Sequence, residues 1–275
     1  MGSSKSINIS RSKIKKANKF LNACVTLWFV LAVLGQWIFA YYVATFYGGS
    51  AIHGNLENWN EVLPQGYVSG EAMGNLAVAI HLFFAIIIIV GGPLQFSQQL
   101  RNRARKFHRW NGKIYIVTAI ILSVSGLYMI LTRGSAGGTT GAITISVNAV
   151  LIIICAVLAW RFALKRDFKE HRIWTIRLFL VVSGVWFFRI GLMFWLFINN
   201  GPVGFDMKTF QGPFLTFLGV AQYALPLVVF EFYLGVQKGK NTLAKYAVSF
   251  LLVALTILML VGIFAATKNL WLPRV

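Results

Sequence analysis

The sequence predicts an all-α fold: a polytopic membrane helical bundle of about seven transmembrane helices with a cytoplasmic N-terminus. Three observations predict it. Hydrophobic residues make up 57% of the 275 residues and charged residues only 12%, about half the charged share of an ordinary soluble domain. Several apolar runs exceed the roughly 18 residues that mark a spanning helix. The basic residues collect in short segments between these runs.

Seven apolar runs supply the predicted spans, because backbone amides in hydrocarbon must be paired within their own element. A basic cytoplasmic segment, residues 1–19, comes first, and we expect residues 20–275 to form one membrane domain. The first apolar run is too long for the core of a signal peptide, so it is predicted to remain as a span. The spans are predicted at about 20–46, 75–96, 114–132, 141–163, 173–198, 213–236 and 246–267.

The distribution of the 26 Lys and Arg residues predicts the orientation. Arg177 and Arg189 lie within span five, and most of the others fall in the segments that an N-terminus-inside topology places in the cytoplasm. This asymmetry is a strong positive-inside signal. We therefore expect a multi-pass protein of the bacterial cytoplasmic membrane with its N-terminus inside. The outer segments hold only Arg133, Lys208, Lys268 and Arg274.

Several function classes are excluded at this stage. The net charge of +19 is split among short loops, whereas a nucleic-acid-binding module gathers its charge on one soluble face. Cys24 and Cys155 lie inside predicted spans and show no disulfide or metal-site spacing. The sequence contains no Cys-x-x-Cys-His motif for covalent c-type haem, no zinc-protease motif and no phosphate-binding loop.

Polar side chains within the outer halves of the spans predict a ligand site. Counting about 1.5 Å of rise per residue places five of them at similar depth. An ionisable side chain in hydrocarbon costs roughly 2.5–3.5 kcal/mol, so it needs a partner or a function. We expect this layer to bind an anionic or carbonyl-bearing ligand, such as a quinone headgroup, from the outer side. The alternative is a structural polar contact with neutral His81. The layer consists of His81, Arg189, Asn148, Gln222 and Ser125.

A second polar layer is predicted toward the cytoplasm. Glu231 on span six and Arg177 on span five lie at matching depths, so we predict that they form an ion pair. Pro93, which follows Gly91-Gly92, and Pro226 are both expected to kink their helices, because proline removes a backbone donor. We also expect replacement of Arg189 to destabilise the protein more than replacement of the loop residue Arg133.

Two histidines at the cytoplasmic mouths of spans three and five predict a possible cofactor site. His108 and His171 lie at one depth and are expected to hold the iron of one haem b. Arg109 and Arg177 would accept the propionates and Trp174 would pack on the ring. The alternative is that both histidines are interfacial residues of basic loops beside boundary tryptophans. No further metal site is expected.

Three motifs suggest a family. They are Gly92-Pro93-Leu94-Gln95-Phe96, His108-Arg109-Trp110-Asn111-Gly112-Lys113-Ile114-Tyr115 and His171-Arg172-Ile173-Trp174-Thr175-Ile176-Arg177. Over roughly residues 75–235 the chain resembles a family of predicted bacterial membrane proteins called domain of unknown function 2306. The resemblance implies no assigned activity.

A remoter likeness is to transmembrane b-type cytochromes, whose haem ligands lie on four central helices. Spans three and five supply one such histidine pair, but span four has no histidine, so that likeness implies at most one haem. From all of these features we expect redox activity or small-ligand binding inside the bundle, without nucleic acid as a partner. The alternatives are a small-solute transporter and a non-catalytic sensor or assembly factor. The sequence does not decide whether the protein is an enzyme.

Overall fold

The computed structural model describes residues 2–63 and 65–275, with side chains from residue 11 onward. Part of the predicted basic segment, Met1 and the side chains up to residue 10, therefore lies outside the described residues. The helices are α1 (Gly2–Tyr42), α2 (Gly49–Ile52), α3 (Ala72–Leu94), α4 (Gln98–Arg103), α5 (Arg105–Arg133), α6 (Gly138–Leu164), α7 (Phe168–Val182), α8 (Gly184–Asn199), α9 (Pro213–Gln237) and α10 (Thr242–Ala266).

Shorter helical segments lie at the end of the bundle that the sequence predicts to face outward, which we call the outer end. A π-helical segment, Val43–Gly48, joins α1 to α2, and a second one, Thr267–Trp271, follows α10. 3₁₀ turns form at Leu56–Glu61 and Leu272–Arg274. Within the described ranges, β-type pairing is limited to an isolated antiparallel bridge between Asp206 and Gln211.

The predicted membrane bundle is confirmed. Six helices are long and apolar enough to cross a membrane, and a seventh span arises if α7 and α8, bent by 46° at their junction, are taken together. The cytoplasmic position of the N-terminus and the single-domain division stay predictions. Several helices begin before the predicted apolar runs, and polar side chains cap their first turns. The Asp167 carboxylate accepts from the Glu170 N–H at the start of α7, and Asn241 caps α10 in the same way.

The sharp bend does not lie at either proline that was predicted to kink its helix. Pro93 falls within the last turn of α3, which ends at Leu94, and α9 continues through Pro226 as one helix. The described bend lies instead at Ser183, between α7 and α8. A Ser-Gly pair such as Ser183-Gly184 is a common cause of a helix kink, because neither residue favours a helix interior.

Glycine residues let α10, α1 and α8 approach one another closely. α10 packs against both α1 and α8. A Cβ on Gly262 would lie within van der Waals overlap of the Ile190 carbonyl of α8, and a Cβ on Gly35 would overlap Ile263 and Trp186. Small residues at helix interfaces are typical of membrane bundles, where van der Waals packing replaces the hydrophobic effect.

Candidate functional site

Arg189 lies among aromatic rings in the outer half of the bundle. Its guanidinium is 5.3 Å from the centroid of the Phe39 ring on α1. Its hydrogen bond within the described protein runs from Nη1 to the Val185 carbonyl oxygen, at a long 3.3 Å. Each carboxylate that forms an ion pair in the described residues does so with another arginine. The charge of Arg189 is therefore hardly compensated.

The rings around Arg189 come from α1, its π-helical extension, α8 and the C-terminal turn. Trp271 is only 1% exposed, and its ring centroid lies 5.2 Å from that of Phe39 and 6.4 Å from that of Tyr42. Tyr42 and Tyr47 also lie close enough to Arg189 to interact electrostatically with its charge. Trp186, one turn before Arg189, is buried in the same core. We call this set the outer cluster: Arg189 with Phe39, Tyr42, Tyr47, Trp186 and Trp271.

His81 on α3 lies close enough to Arg189 for the two to interact electrostatically. The Ser125 hydroxyl on α5 donates to the Leu122 carbonyl oxygen at 3.1 Å, and His81 Nδ1 lies 3.1 Å from the same hydroxyl oxygen. Because that hydroxyl has a single proton, Nδ1 is assigned as the donor to Ser125. His81 Nε2 then keeps its lone pair as a hydrogen-bond acceptor.

The structure divides the predicted outer layer in two. His81 and Ser125 come together within electrostatic range of Arg189, but Asn148 packs on Gly184 at the bend between α7 and α8. Gln222 turns back on its own helix, where Nε2 donates to the Gly219 carbonyl oxygen at 2.8 Å. No described hydrogen bond joins these two amides to the other three residues. Similar depth placed all five together in the prediction, but residues at one depth can face different sides of a bundle.

One buried polar contact at the bend was missed from the sequence. Gln36 Nε2 on α1 donates to the Ser183 hydroxyl at 2.8 Å, and both side chains are buried. The Ser183 hydroxyl donates to the Phe179 carbonyl oxygen at 2.8 Å. The available signals were a glutamine within the apolar run of span one and the Ser-Gly pair in the middle of span five.

At the inner end the structure brings Arg177 and Glu231 together. Arg177 donates from Nε and Nη2 to Glu231 Oε1 at 2.9 and 2.7 Å. The guanidinium also lies 4.4 Å from the centroid of the Trp174 ring. Arg177 therefore already has an anion and an aromatic face as partners within the protein.

The inner histidines have nitrogen atoms available for a ligand. His171 Nδ1 lies 2.9 Å from the Ala159 carbonyl oxygen, so it is the donor and Nε2 keeps its lone pair. Such a bond typically orients a metal-ligating histidine. His108 Nδ1 is buried and has no hydrogen-bond partner in the described part of the chain.

The donor atoms of His108 and His171 fit axial ligation of haem, but the interior between their helices is packed. α6 contacts both α5 and α7. Its Ala156 and Ala159 are completely buried in that core. The core between these helices therefore offers no described space for a haem, and Arg109, next to His108 in the chain, is exposed.

The motifs at the inner end also have a packing role. Asn111 Nδ2 on α5 donates to the Gly91 carbonyl oxygen on α3 at 2.9 Å. One turn later the Tyr115 ring packs so closely on Gly92 that a Cβ there would lie 2.8 Å from it. These contacts lock α3 and α5 together, which gives both glycines a structural reason to lack a side chain.

Arg133 is not the exposed loop residue that the sequence suggested. Its side chain is 6% exposed. Nη1 donates to the carbonyl oxygens of Gln65 and Gly66 at 2.7 and 3.2 Å, and Nη2 donates to Glu71 Oε2 at 3.1 Å and Asn75 Oδ1 at 2.8 Å. Arg133 therefore fastens the outer loop to the start of α3 and the end of α5. We call these residues the Arg133 clasp.

The comparisons with known proteins identify a family and no activity. A family model described as "Predicted membrane protein (DUF2306)" matches residues 78–211, a segment that contains His81, His108, His171 and Arg189. No curated protein and no solved structure matches the chain. The resemblance to the family is confirmed, and the likeness to b-type cytochromes stays a prediction. Over residues 78–211, the chain is therefore similar to the family of predicted membrane proteins called domain of unknown function 2306.

Proposed function

We propose that the protein binds a small ligand with anionic or carbonyl oxygens, such as a quinone headgroup, between Arg189 and His81 in the outer half of the bundle. The supporting observation is the poorly compensated guanidinium of Arg189. A 3.3 Å bond to a backbone carbonyl and a ring contact at 5.3 Å are its described interactions. A cation–π contact contributes about 0.5–2 kcal/mol, less than the roughly 2.5–3.5 kcal/mol that a charge in the membrane costs.

The protein's own acidic residues do not supply the missing anion. All seven Asp and Glu residues lie off the helices α1, α3, α8 and α10 that surround Arg189. A ligand oxygen that accepts from the guanidinium would provide the compensation. A guanidinium offers five N–H groups in a planar fork, which suits carboxylate or paired carbonyl oxygens.

His81 gives the site a second, different contact. With Nδ1 bonded to Ser125, Nε2 can accept a hydrogen bond or a proton from a ligand hydroxyl. A ligand held by Arg189 at one oxygen would therefore meet an acceptor at His81. This combination of a fixed donor and a proton acceptor suits a ring that exchanges protons at its oxygens.

The test is the thermal stability of the detergent-purified protein with a short-chain benzoquinone. Wild type should show a melting temperature that rises with quinone concentration, because a ligand that binds the native state stabilises it. Arg189→Met should lose most of this shift, whereas Arg161→Met, at an exposed inner position, should keep it. An equal shift in wild type and Arg189→Met, or no shift in wild type, would contradict the proposal.

A second candidate is one haem b at the inner mouth, favoured by the free Nε2 of His171 and the unpartnered Nδ1 of His108. His108 and His171 would hold the iron, Arg109 would bind a propionate, and the haem would supply one-electron chemistry. The visible spectrum of the dithionite-reduced protein should then show a sharp b-type band that His108→Ala and His171→Ala abolish. A colourless preparation from haem-replete cells would exclude it.

The transporter alternative is favoured by the 46° bend between α7 and α8, since broken helices often form transport sites. It differs from simple binding in one measurable respect. A transporter in proteoliposomes would carry the ligand from one side to the other, whereas a binding protein would retain it without net flux.

A further inference from the structure

Three polar atoms of the outer cluster are buried without a partner. The indole nitrogens of Trp186 and Trp271 and the Tyr42 hydroxyl have no hydrogen bond of standard geometry within the described part of the protein, although the Tyr47 hydroxyl lies near that of Tyr42. All three side chains belong to the same packed core as Phe39, whose ring lies under Arg189. Arg189 and these three groups thus leave several unused hydrogen-bond donors in one region.

Such a concentration is unusual. About nine in ten buried polar groups have a hydrogen-bond partner in native proteins, and the exceptions often mark a ligand or an ordered water. Another tryptophan of the same core does have a partner: Trp59 Nε1 donates to the Tyr47 carbonyl oxygen at 3.1 Å. Other buried polar atoms without a partner, such as His108 Nδ1, lie elsewhere in the described part of the chain, but three such atoms belong to this one aromatic core.

The hydrogen-bonding properties of these groups indicate which class of ligand they could bind. An indole N–H and a guanidinium can only donate hydrogen bonds, and a tyrosine hydroxyl can donate one. No carboxylate lies on the surrounding helices. The aromatic walls, with Tyr42 and Phe46 stacked at 5.5 Å and 11° between their planes, favour a flat, apolar body. A cationic ligand would meet an uncompensated positive charge there.

We infer that Tyr42, Trp186 and Trp271 bind the ligand together with Arg189, and that the ligand is a planar ring compound whose oxygens accept hydrogen bonds. A quinone and an aromatic carboxylate share this chemistry. The inference rests on the proposed ligand site at Arg189 and adds three binding residues and a ligand class to it.

Tyr42→Phe is the decisive variant, because it removes an unpartnered hydroxyl and leaves the ring in place. The melting temperature of the ligand-free protein should rise, since the desolvation penalty of an unbonded hydroxyl disappears. The affinity for the ligand should fall by about fivefold to tenfold, because one hydrogen bond is lost. A purely structural residue would not show these opposite changes.

Tyr233→Phe is the matched control. Its hydroxyl accepts a hydrogen bond from Gln237 Nε2 at 2.7 Å on α9, away from the outer cluster. This variant should not raise the melting temperature of the ligand-free protein, and it should leave the affinity unchanged. The same measurements on both variants separate loss of a binding hydroxyl from loss of any tyrosine hydroxyl.

The ligand class is tested with three probes on the detergent-purified protein: a short-chain benzoquinone, benzoate and benzamidine. Benzoate and benzamidine have the same shape, but the first only accepts hydrogen bonds and the second is a cationic donor. The inference predicts a rise in melting temperature with the quinone or with benzoate and none with benzamidine. The probe that gives the larger rise shows whether the site prefers a quinone or an aromatic carboxylate. Benzamidine binding as tightly as the others would overturn it.

The outcomes also separate this inference from the proposed site. If Arg189→Met abolishes the ligand-dependent shift and Tyr42→Phe leaves the affinity unchanged, the inference is wrong and the proposed site stands. If Arg189→Met itself leaves the shift unchanged, the proposed site fails and the inference fails with it.

Discussion

Two arginines in the outer half of the molecule have opposite surroundings. Arg133 donates to two backbone carbonyls, a carboxylate and an amide oxygen within the Arg133 clasp. Arg189, deeper in the bundle, has one long bond to a carbonyl and an aromatic ring beneath it. Within the described residues, the first guanidinium donates to four acceptors and leaves only Nε without a partner, whereas the second donates to one. Compensation, rather than depth, distinguishes a structural charge from a charge that is available to a ligand.

The largest effect is expected at the Arg133 clasp. Arg133→Ala should lower the free energy of unfolding by about 3 kcal/mol, because a mostly buried guanidinium loses four charge-assisted hydrogen bonds. This reverses the order that the sequence predicted for Arg189 and Arg133. Thermal or detergent-denaturant unfolding measures it, with Lys208→Ala, at an exposed outer position, as the control. Equal stability of the two variants would show that the hydrogen bonds of Arg133 do not stabilise the fold.

Arg177 provides an intermediate case. It is paired with Glu231, but the carboxylate is 51% exposed, so solvent weakens the interaction. Glu231→Gln should destabilise the protein by about 1 kcal/mol. A double-mutant cycle with Arg177→Met would measure the coupling directly, and a coupling free energy near zero would show that this ion pair contributes nothing to stability.

Arg189→Met should change the stability of the ligand-free protein by less than about 0.5 kcal/mol, or increase it, since it removes a charge that the protein hardly compensates. The same unfolding assay used for Arg133→Ala checks this prediction. A loss as large as that of Arg133→Ala would mean that Arg189 is a structural residue, and the ligand site would lose its support.

The smallest effect is expected in the outer loop after α8. The N–H and hydroxyl of Thr209, with a smaller contribution from the Lys208 N–H, hold the pKa of Asp206 below its ordinary value of 3.8. A lowered pKa in the folded state stabilises the loop above pH 3.8, and this stabilisation is lost as the pH falls through the lower, folded-state pKa. The protection of residues 203–212 against hydrogen exchange, relative to the intrinsic rate at each pH, should therefore fall in strong acid.

Asp206→Ala is the control for this loop. It should lower the protection of these residues at neutral pH and remove the fall in protection in acid. An unchanged exchange rate at neutral pH would show that the Asp206 hydrogen bonds do not hold the loop, in contrast to the Arg133 clasp on the same side of the molecule.

The contacts that follow from local geometry were accessible from the sequence. Helical rise placed Arg177 and Glu231 at one depth, and the structure joins them. The same counting grouped Asn148 and Gln222 with His81, and there the structure separates them. Rise along a helix gives depth alone, whereas contact also requires the facing direction, which depends on how each helix is rotated against its neighbours.

By itself, the sequence determined that the chain is a helical membrane bundle of the family it resembles, because long apolar runs in hydrocarbon must pair their backbone groups internally. It also showed which polar residues enter the spans. Only the tertiary structure decided how those residues are compensated. Arg133 has four hydrogen-bond acceptors, Arg189 has one, and Tyr42, Trp186 and Trp271 have polar atoms without a partner among the described residues. Hydrogen bonds extend over about 3 Å, so partners far apart in the sequence are defined only when the helices pack.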